Sequence, residues 1–388
     1  MNTRIIIDIV MLSSFGKEEG GRETWLHNFL PELLKDDTID KVHIFGYRNT
    51  SQKDHSHLLK KLDLLGKERV VPVILEGTSS RIPKFVRMFR ALRKELKQAS
   101  YESPSHVLAV GGMLETTMVR FITRYKNAIR VVWLRSIFTQ EKAYRIPQFL
   151  MKPFQSLEKH NLNNTADIII ANGDDTHAFY SKYNTGVHVL KNAVNVDKWQ
   201  MPPVEESDIL NVAYIGRLSE VKGIESYFEL AQRIKASEFK KKFVFHVVGP
   251  ANNYLNQAEM LDKANVINFH GAIDNDMLPA FLMNVHVCVA LTFVSEKLGG
   301  AGLSNALIEQ MAAEKIILAW KNNAFNQILD NTCAYQVEQY DVEALTDMLI
   351  EIYGNQHLAL AKAKKAKEKV APFTMEAHVE KFKNILKL

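Results

Sequence analysis

Cysteine is nearly absent from this chain: Cys288 and Cys333 are the only two in 388 residues. Two thiols are too few for a disulfide framework or a cysteine zinc site, and both read as reduced cytosolic thiols, with Cys288 as core packing inside its apolar run. No unbroken apolar run reaches the roughly eighteen residues that a spanning helix needs, so the chain is expected to be soluble or peripheral. Arg4 is followed only by the short run from Ile5 to Val10, interrupted by Asp8 and closed by a Ser-Ser-Phe-Gly turn. That fits a first strand and not a secretory leader. The 13 histidines are scattered with no pair at metal-ligand spacing, and His246, in an apolar strand, reads as packing. No serine-hydrolase elbow, P-loop or strand-linked Gly-x-Gly-x-x-Gly with a downstream acid is present, which excludes three large enzyme classes. No DNA- or RNA-binding module is recognisable either.

What is present is enough apolar material, 46% of 388 residues, to fill two cores of about 190 residues each. Short apolar runs bounded by turn residues recur with room for a helix between them, the signature of parallel strands joined by helical crossovers. In the first half strands are expected at 4–10, 41–45, 70–75, 106–110, 129–134 and 167–171. In the second half they are expected at 211–215, 243–248, 266–269, 285–291, 315–319 and 334–337. The class is α/β. Trp25, Leu26, Phe29, Leu30 and Leu33 share one face of a helix over 23–34. Pro202-Pro203 followed by Glu205-Glu206 makes a stiff polar stretch that suits a domain link within 194–207. Thr374 is placed to cap a last amphipathic helix that needs a partner surface. Asp174-Asp175 follows a strand and reads as a helix cap and first-turn acids, not as a metal site.

Two segments carry chemistry. The first is Gly216-Arg217-Leu218-Ser219-Glu220-Val221-Lys222-Gly223, a loop between a strand and a helix beginning near Ile224. An arginine fork and a lysine point charge both reach phosphate oxygens, and the free amides of a helix start add partial positive charge, so the loop suits a diphosphate. Taken alone, it reads more readily as a surface loop with two ordinary solvated cations. The second is a glycine-rich turn, Gly299-Gly300-Ala301-Gly302-Leu303-Ser304, running into a helix that carries Glu309. Glycines there admit a ligand to the main chain, and Glu309 can accept hydrogen bonds from ribose hydroxyls.

In order, spacing and context these segments resemble the donor-binding signatures of glycosyltransferase family 4. Val248-Gly249-Pro250, the stretch Val266 to Gly271, and the stretch Val189 to Asp197 add to the likeness, which covers 190–320 well and the N-terminal half loosely. The resemblance implies a GT-B fold: two Rossmann-like domains, 1–193 for the acceptor and 194–372 for the donor, facing across a cleft. A terminal helix, 373–388, crosses back to the first. It implies that Arg217 and Lys222 bind the donor diphosphate and serve as the catalytic cations, with Gly216, Gly249 and Ser304 beside the donor. Amides near Gly302–Leu303 would face phosphate or sugar, Glu309 the ribose, and Gly20-Gly21 the donor from the acceptor domain. The reaction would retain anomeric configuration, use a UDP- or GDP-sugar as co-substrate, and need neither metal nor cofactor.

Two departures stand out. The family pattern places a first glutamate at position 301, which is alanine here. An altered donor, a substitute such as Glu296, or a weakened enzyme would each account for it. Many relatives have a histidine after an N-terminal strand, where this chain has Val131-Val132-Trp133-Leu134-Arg135-Ser136. Arg135 can supply charge to the cleft, although a strand-end arginine is commonly a surface or ion-pair residue.

Seven basic residues and one acid lie between Arg81 and Lys97, interleaved with Ile82, Phe85, Val86, Phe89, Leu92 and Leu96. Such a helix suits an anionic membrane surface as well as it suits a solvated face over its own sheet. The expected protein is thus a cytoplasmic enzyme, peripheral on the inner face of the cell membrane. It would move a sugar to a glycan or lipid-linked acceptor in surface polysaccharide synthesis, such as that of lipopolysaccharide. A non-catalytic sugar-nucleotide-binding partner and a GT-B-like epimerase or phosphorylase remain as rivals.

Overall fold

Apolar runs buried on both faces make parallel strands, and parallel strands need helical crossovers to return the chain. The structure, a computed structural model, describes residues 4–11, 21–49, 62, 65–66, 68–77, 84–98, 101–137, 148–295 and 303–388. It divides into two compact units, one containing Met1–Asn192 and Met375–Leu388, the other Ala193–Gly299 and Leu303–Thr374.

In the first unit β1 (Ile5–Met11), β2 (Ile39–Asn49), β3 (Val70–Gly77), β4 (His106–Gly111), β5 (Ile129–Leu134), β6 (Ile168–Ala171) and β7 (Val187–Val189) form one parallel sheet. Their order is β3-β2-β1-β4-β5-β6-β7. Asp8 and His43 occupy one register position of β1 and β2 and meet at 2.8 Å, which explains two polar residues in buried strands. Helices α1 (Gly21–Leu33), α2 (Lys84–Gln98), α3 (Met113–Phe121), α4 (Gln148–Thr165) and α5 (Asp174–Tyr180) accompany these strands. The N-cap of α5 is Gly173, so neither Asp174 nor Asp175 is the cap; both are first-turn acids, favoured there by the helix dipole. Strand β7 has no counterpart in the sequence reading, because His188 breaks its three-residue run.

In the second unit β8 (Leu210–Ile215), β9 (Phe243–Val248), β10 (Asn268–Phe269), β11 (Val287–Ala290), β12 (Ile316–Lys321) and β13 (Tyr335–Glu338) run in the order β10-β9-β8-β11-β12-β13, again parallel. Helices α6 (Ile224–Ala236), α7 (Leu255–Lys263), α8 (Leu278–Leu282), α9 (Asn305–Ala312), α10 (Val342–Gly354) and α11 (Gln356–Val370) belong to this unit. Both cysteines are buried and free. His246 does not pack as an apolar residue: its Nδ1 meets His270 Nε2 at 3.0 Å and its Nε2 meets Asn211 Oδ1 at 3.0 Å. Burial, then the neighbouring His270, pushes the His246 imidazole down to about 4.

The last helix, α12 (Met375–Leu386), returns to the first unit and buries Met375, His378, Val379, Phe382 and Leu386. Phe382 stacks on Trp133 at 5.3 Å and meets Phe29 edge-on at 5.0 Å. Trp25 Nε1 donates to His378 Nε2 at 3.2 Å, and His378 Nδ1 donates to the Lys191 carbonyl at 2.9 Å. Both ring nitrogens are thereby used by a neutral imidazole, whose pKa burial and then Arg135 push down to about 3. Among the described residues no helix is long and apolar enough to cross a membrane.

Both sheets share one topology. Strand order reverses between β1 and β4 in the first and between β8 and β11 in the second, and open α/β sheets hold ligands beyond the carboxyl ends of the strands at such points.

Candidate functional site

Strand β8 ends at Ile215, and the following loop folds over the reversal point of its sheet. Gly223 ends a tight turn over Glu220–Lys222 at φ 72° and caps α6. A Cβ at Gly223 would overlap the Leu291 carbonyl, so only glycine lets the loop lie against the exit of β11. Phe293 N–H donates to the Val221 carbonyl at 2.8 Å and fastens the two segments. Gly249 is fixed for a similar reason: at φ 145° its Cβ would overlap the Gly216 carbonyl. Its identity is thus explained by packing of the β8 and β9 loops on one another.

This packing places Lys222 between the ends of β8 and β11. Its Nζ donates to Thr292 Oγ1 at 3.4 Å. Burial, then the neighbouring Arg217, pushes the Lys222 ammonium down to about 8. Arg217 itself is exposed, and its carbonyl accepts from the Tyr214 hydroxyl at 2.9 Å. One half-buried cation and one exposed cation therefore share the loop, a point charge beside an exposed fork.

Helix α9 supplies the second part. Ser304 is its N-cap, with Oγ accepting from Leu307 N–H at 3.4 Å, and Leu303 is fully buried. Glu309 lies just over one turn into α9. Its Oε1 accepts from Asn275 Nδ2 at 3.3 Å, while Lys198 Nζ donates to Asn275 Oδ1 and, at 3.0 Å, to Asp276 Oδ1. Burial pushes the Glu309 carboxyl up to about 7, against the pull of Lys198 and Asn275. Thr292, Asn275 and Lys198 were not singled out from sequence. Asn275 lies in a polar loop between β10 and α8, and Lys198 in a stretch read only as the way into the domain, so neither carries a local signal.

Gly20, Glu296, Ala301 and Gly302 lie outside the described residues. Gly21 opens α1, and Arg135 follows β5, both in the first unit. Arg135 is buried and is not the surface residue that its strand-end position suggests, and among the described residues it forms no ion pair. Among the described residues no group of three or more His, Cys, Asp or Glu side chains is arranged to hold a metal ion.

The whole chain superposes on sucrose-phosphate synthase from Thermosynechococcus elongatus with a TM-score of 0.76 at 17% identity, covering 99% of this chain and 98% of that one. Anabaena HepE in complex with UDP-glucose gives 0.74 at 13%, covering 99% and 100%. The fold is GT-B. Residues 210–355, within the second GT-B unit, match the family model for Glycosyl transferases group 1. Among curated proteins, poly(ribitol-phosphate) alpha-N-acetylglucosaminyltransferase of Staphylococcus aureus (strain COL) is 24% identical over 180 residues, 45% of this chain. The match spans 34% of that relative's length.

A ligand diphosphate held by Lys222 and a diol held by Glu309 would bind most tightly when both groups are ionised. With Glu309 near 7 and Lys222 near 8, affinity is expected to rise as pH climbs through about 7 and to fall as it passes about 8. Above that point binding must return a proton to Lys222, up to tenfold weaker per pH unit. Calorimetric titration with UDP from about pH 6 to pH 9 checks this, and a flat profile would remove both residues from the ligand site.

Proposed function

We propose that this protein is a nucleotide-sugar-dependent glycosyltransferase of family 4, with the donor on the second unit. The observation that carries the reading is Lys222, set between the ends of β8 and β11 at the reversal point of its sheet, with Arg217 in the same loop. Departure of a nucleoside diphosphate leaves negative charge on its phosphate oxygens, and fixed cations that meet this charge lower the barrier. Because Arg217 and Lys222 supply that charge, the reading includes no metal and no resident cofactor. Retention of anomeric configuration is part of it, as are a UDP- or GDP-sugar donor and a glycan or lipid-linked acceptor of surface polysaccharide synthesis.

The test is calorimetric titration with UDP-, GDP- and ADP-sugars in the presence of a chelator. One donor is expected to bind, and Glu309→Ala is expected to weaken it about tenfold or more, as the loss of a charged hydrogen-bond acceptor does. If no donor binds, the reading fails. A second reading, a partner protein that binds sugar nucleotides without turnover, is favoured by Ala301 at the place of the family's first glutamate. It predicts donor binding with neither transfer nor donor hydrolysis.

The reading also places the protein on an anionic membrane surface through α2. Met88 and Leu92 are fully buried against the first unit's sheet, so the apolar side of this helix is occupied. Arg90, Arg93, Lys94 and Lys97 remain exposed, and the attachment is electrostatic without insertion. Sedimentation with vesicles containing phosphatidylserine is expected at low salt, to be lost at high salt, and to be abolished when Arg90, Arg93 and Lys94 are changed to glutamine. Equal sedimentation of that variant would refute the attachment.

A further inference from the structure

The first unit has its own reversal point, between β1 and β4, and three side chains gather at the carboxyl edge of its sheet. Arg22 stands in the first turn of α1 after β1, Glu115 in the first turn of α3 after β4, and Arg135 at the end of β5. Arg22 Nη1 donates to Glu115 Oε1 at 3.2 Å, and Glu115 Oε2 accepts from Gly112 N–H at 3.2 Å. A Cβ on Gly111 would overlap the Glu115 carboxylate, so the glycine keeps that acid, and through it Arg22, against the sheet edge. The Arg22 side chain is still 36% exposed.

Arg135 is only 8% exposed. Its guanidinium carbon lies 5.1 Å from the ring centre of Trp25 and 5.9 Å from that of Trp133. His378, the third ring near it, is neutral, with both nitrogens already used. Arg135 Nη1 is buried and has no hydrogen-bond partner, and among the described residues no carboxylate pairs with this guanidinium. Glu23 favours its charge electrostatically, and Arg22 opposes it. Aromatic faces stabilise a guanidinium modestly, whereas burying one without a counter-ion is costly. A fixed, dehydrated cation beside a second arginine at a ligand-binding edge is what an incoming oxyanion requires.

We propose that Arg135 and Arg22 receive an oxyanion, phosphate or carboxylate, carried by the sugar acceptor. The acceptor class is therefore acidic: a phosphorylated sugar, polyol or lipid, or a glycan bearing a uronic acid. This inference rests on the glycosyltransferase reading for the word acceptor, but the anion site stands in the first unit by itself. Burial and then Arg22 hold the Arg135 guanidinium down to about 9, so it remains charged at neutral pH and is the side chain most relieved by an anion.

Trp25 and Trp133 report on the site directly. Inorganic phosphate and glucuronate, titrated separately at constant ionic strength, are expected to give a saturable change in tryptophan emission with one of them, which tells phosphorylated from uronic acceptors. Arg135→Gln is expected to abolish the change. Arg22→Gln, whose amide can still donate to Glu115, and Arg135→Lys, which keeps the charge but loses the fork, are each expected to weaken it about tenfold or more. Absence of a saturable change with both anions, or an unaltered titration in Arg22→Gln and Arg135→Lys, would overturn the proposal. Donor titration of the same preparations separates the two readings. Nucleotide-sugar binding without anion binding refutes the acidic acceptor alone, and anion binding without nucleotide-sugar binding keeps this site and refutes the donor assignment.

Discussion

Lys222→Ala is expected to lower kcat about a hundredfold or more, with Arg217→Ala close behind. The magnitude is that of removing one fixed donor from a site where transition-state charge develops. Lys222 is held in place by the Gly223 turn and by Thr292, so it meets the leaving diphosphate without reorganisation. Charge on the leaving group grows as the glycosidic bond breaks, so the loss falls on kcat more than on KM. Steady-state kinetics on the variants decides it. A Lys222→Ala enzyme with raised KM and unchanged kcat would assign the residue to ground-state binding, and two fully active variants would remove the loop from catalysis.

Phe382→Ala is expected to destabilise the first unit by about 3–5 kcal/mol, the usual cost of emptying a buried aromatic position. Phe382 is fully buried, with Trp133 stacked on one side and Phe29 edge-on to it. Loss of the ring leaves a cavity that two tryptophans and a neutral histidine cannot fill without leaving their own contacts. Urea unfolding followed by tryptophan emission should show one transition moved to lower urea and the other unmoved, because Trp25 and Trp133 lie in the first unit while Trp199 and Trp320 lie in the second. An unchanged first transition would mean that α12 adds little to that core.

The fold was legible because both sheets are parallel and buried, so each strand announces itself as a bounded apolar run, and the two-unit rhythm follows from repeating it. Strand β7 escaped because three residues with a central His188 carry no periodicity. His246 was misread because its strand neighbours are apolar, while the polar partners that explain it, Asn211 and His270, come from adjacent strands or the turn after one. The cations of the β8 loop were legible from their spacing. Thr292, Asn275 and Lys198 were not, since each reaches its site by a contact with a residue far off in sequence and by no local pattern. Arg135 was visible as an odd residue after a strand. Its burial was not, because Trp25 and His378, which surround it, come from the two far ends of the chain.

The return of α12 also sets a schedule for synthesis. Domains usually fold in the order in which they emerge from the ribosome. Here Trp25, Phe29 and Trp133 have left it long before Phe382 exists to cover them. The second unit can complete its core as soon as Thr374 is out, while the first waits for Leu386. A nascent chain therefore carries an uncovered aromatic surface until the residues of α12 have emerged to close it.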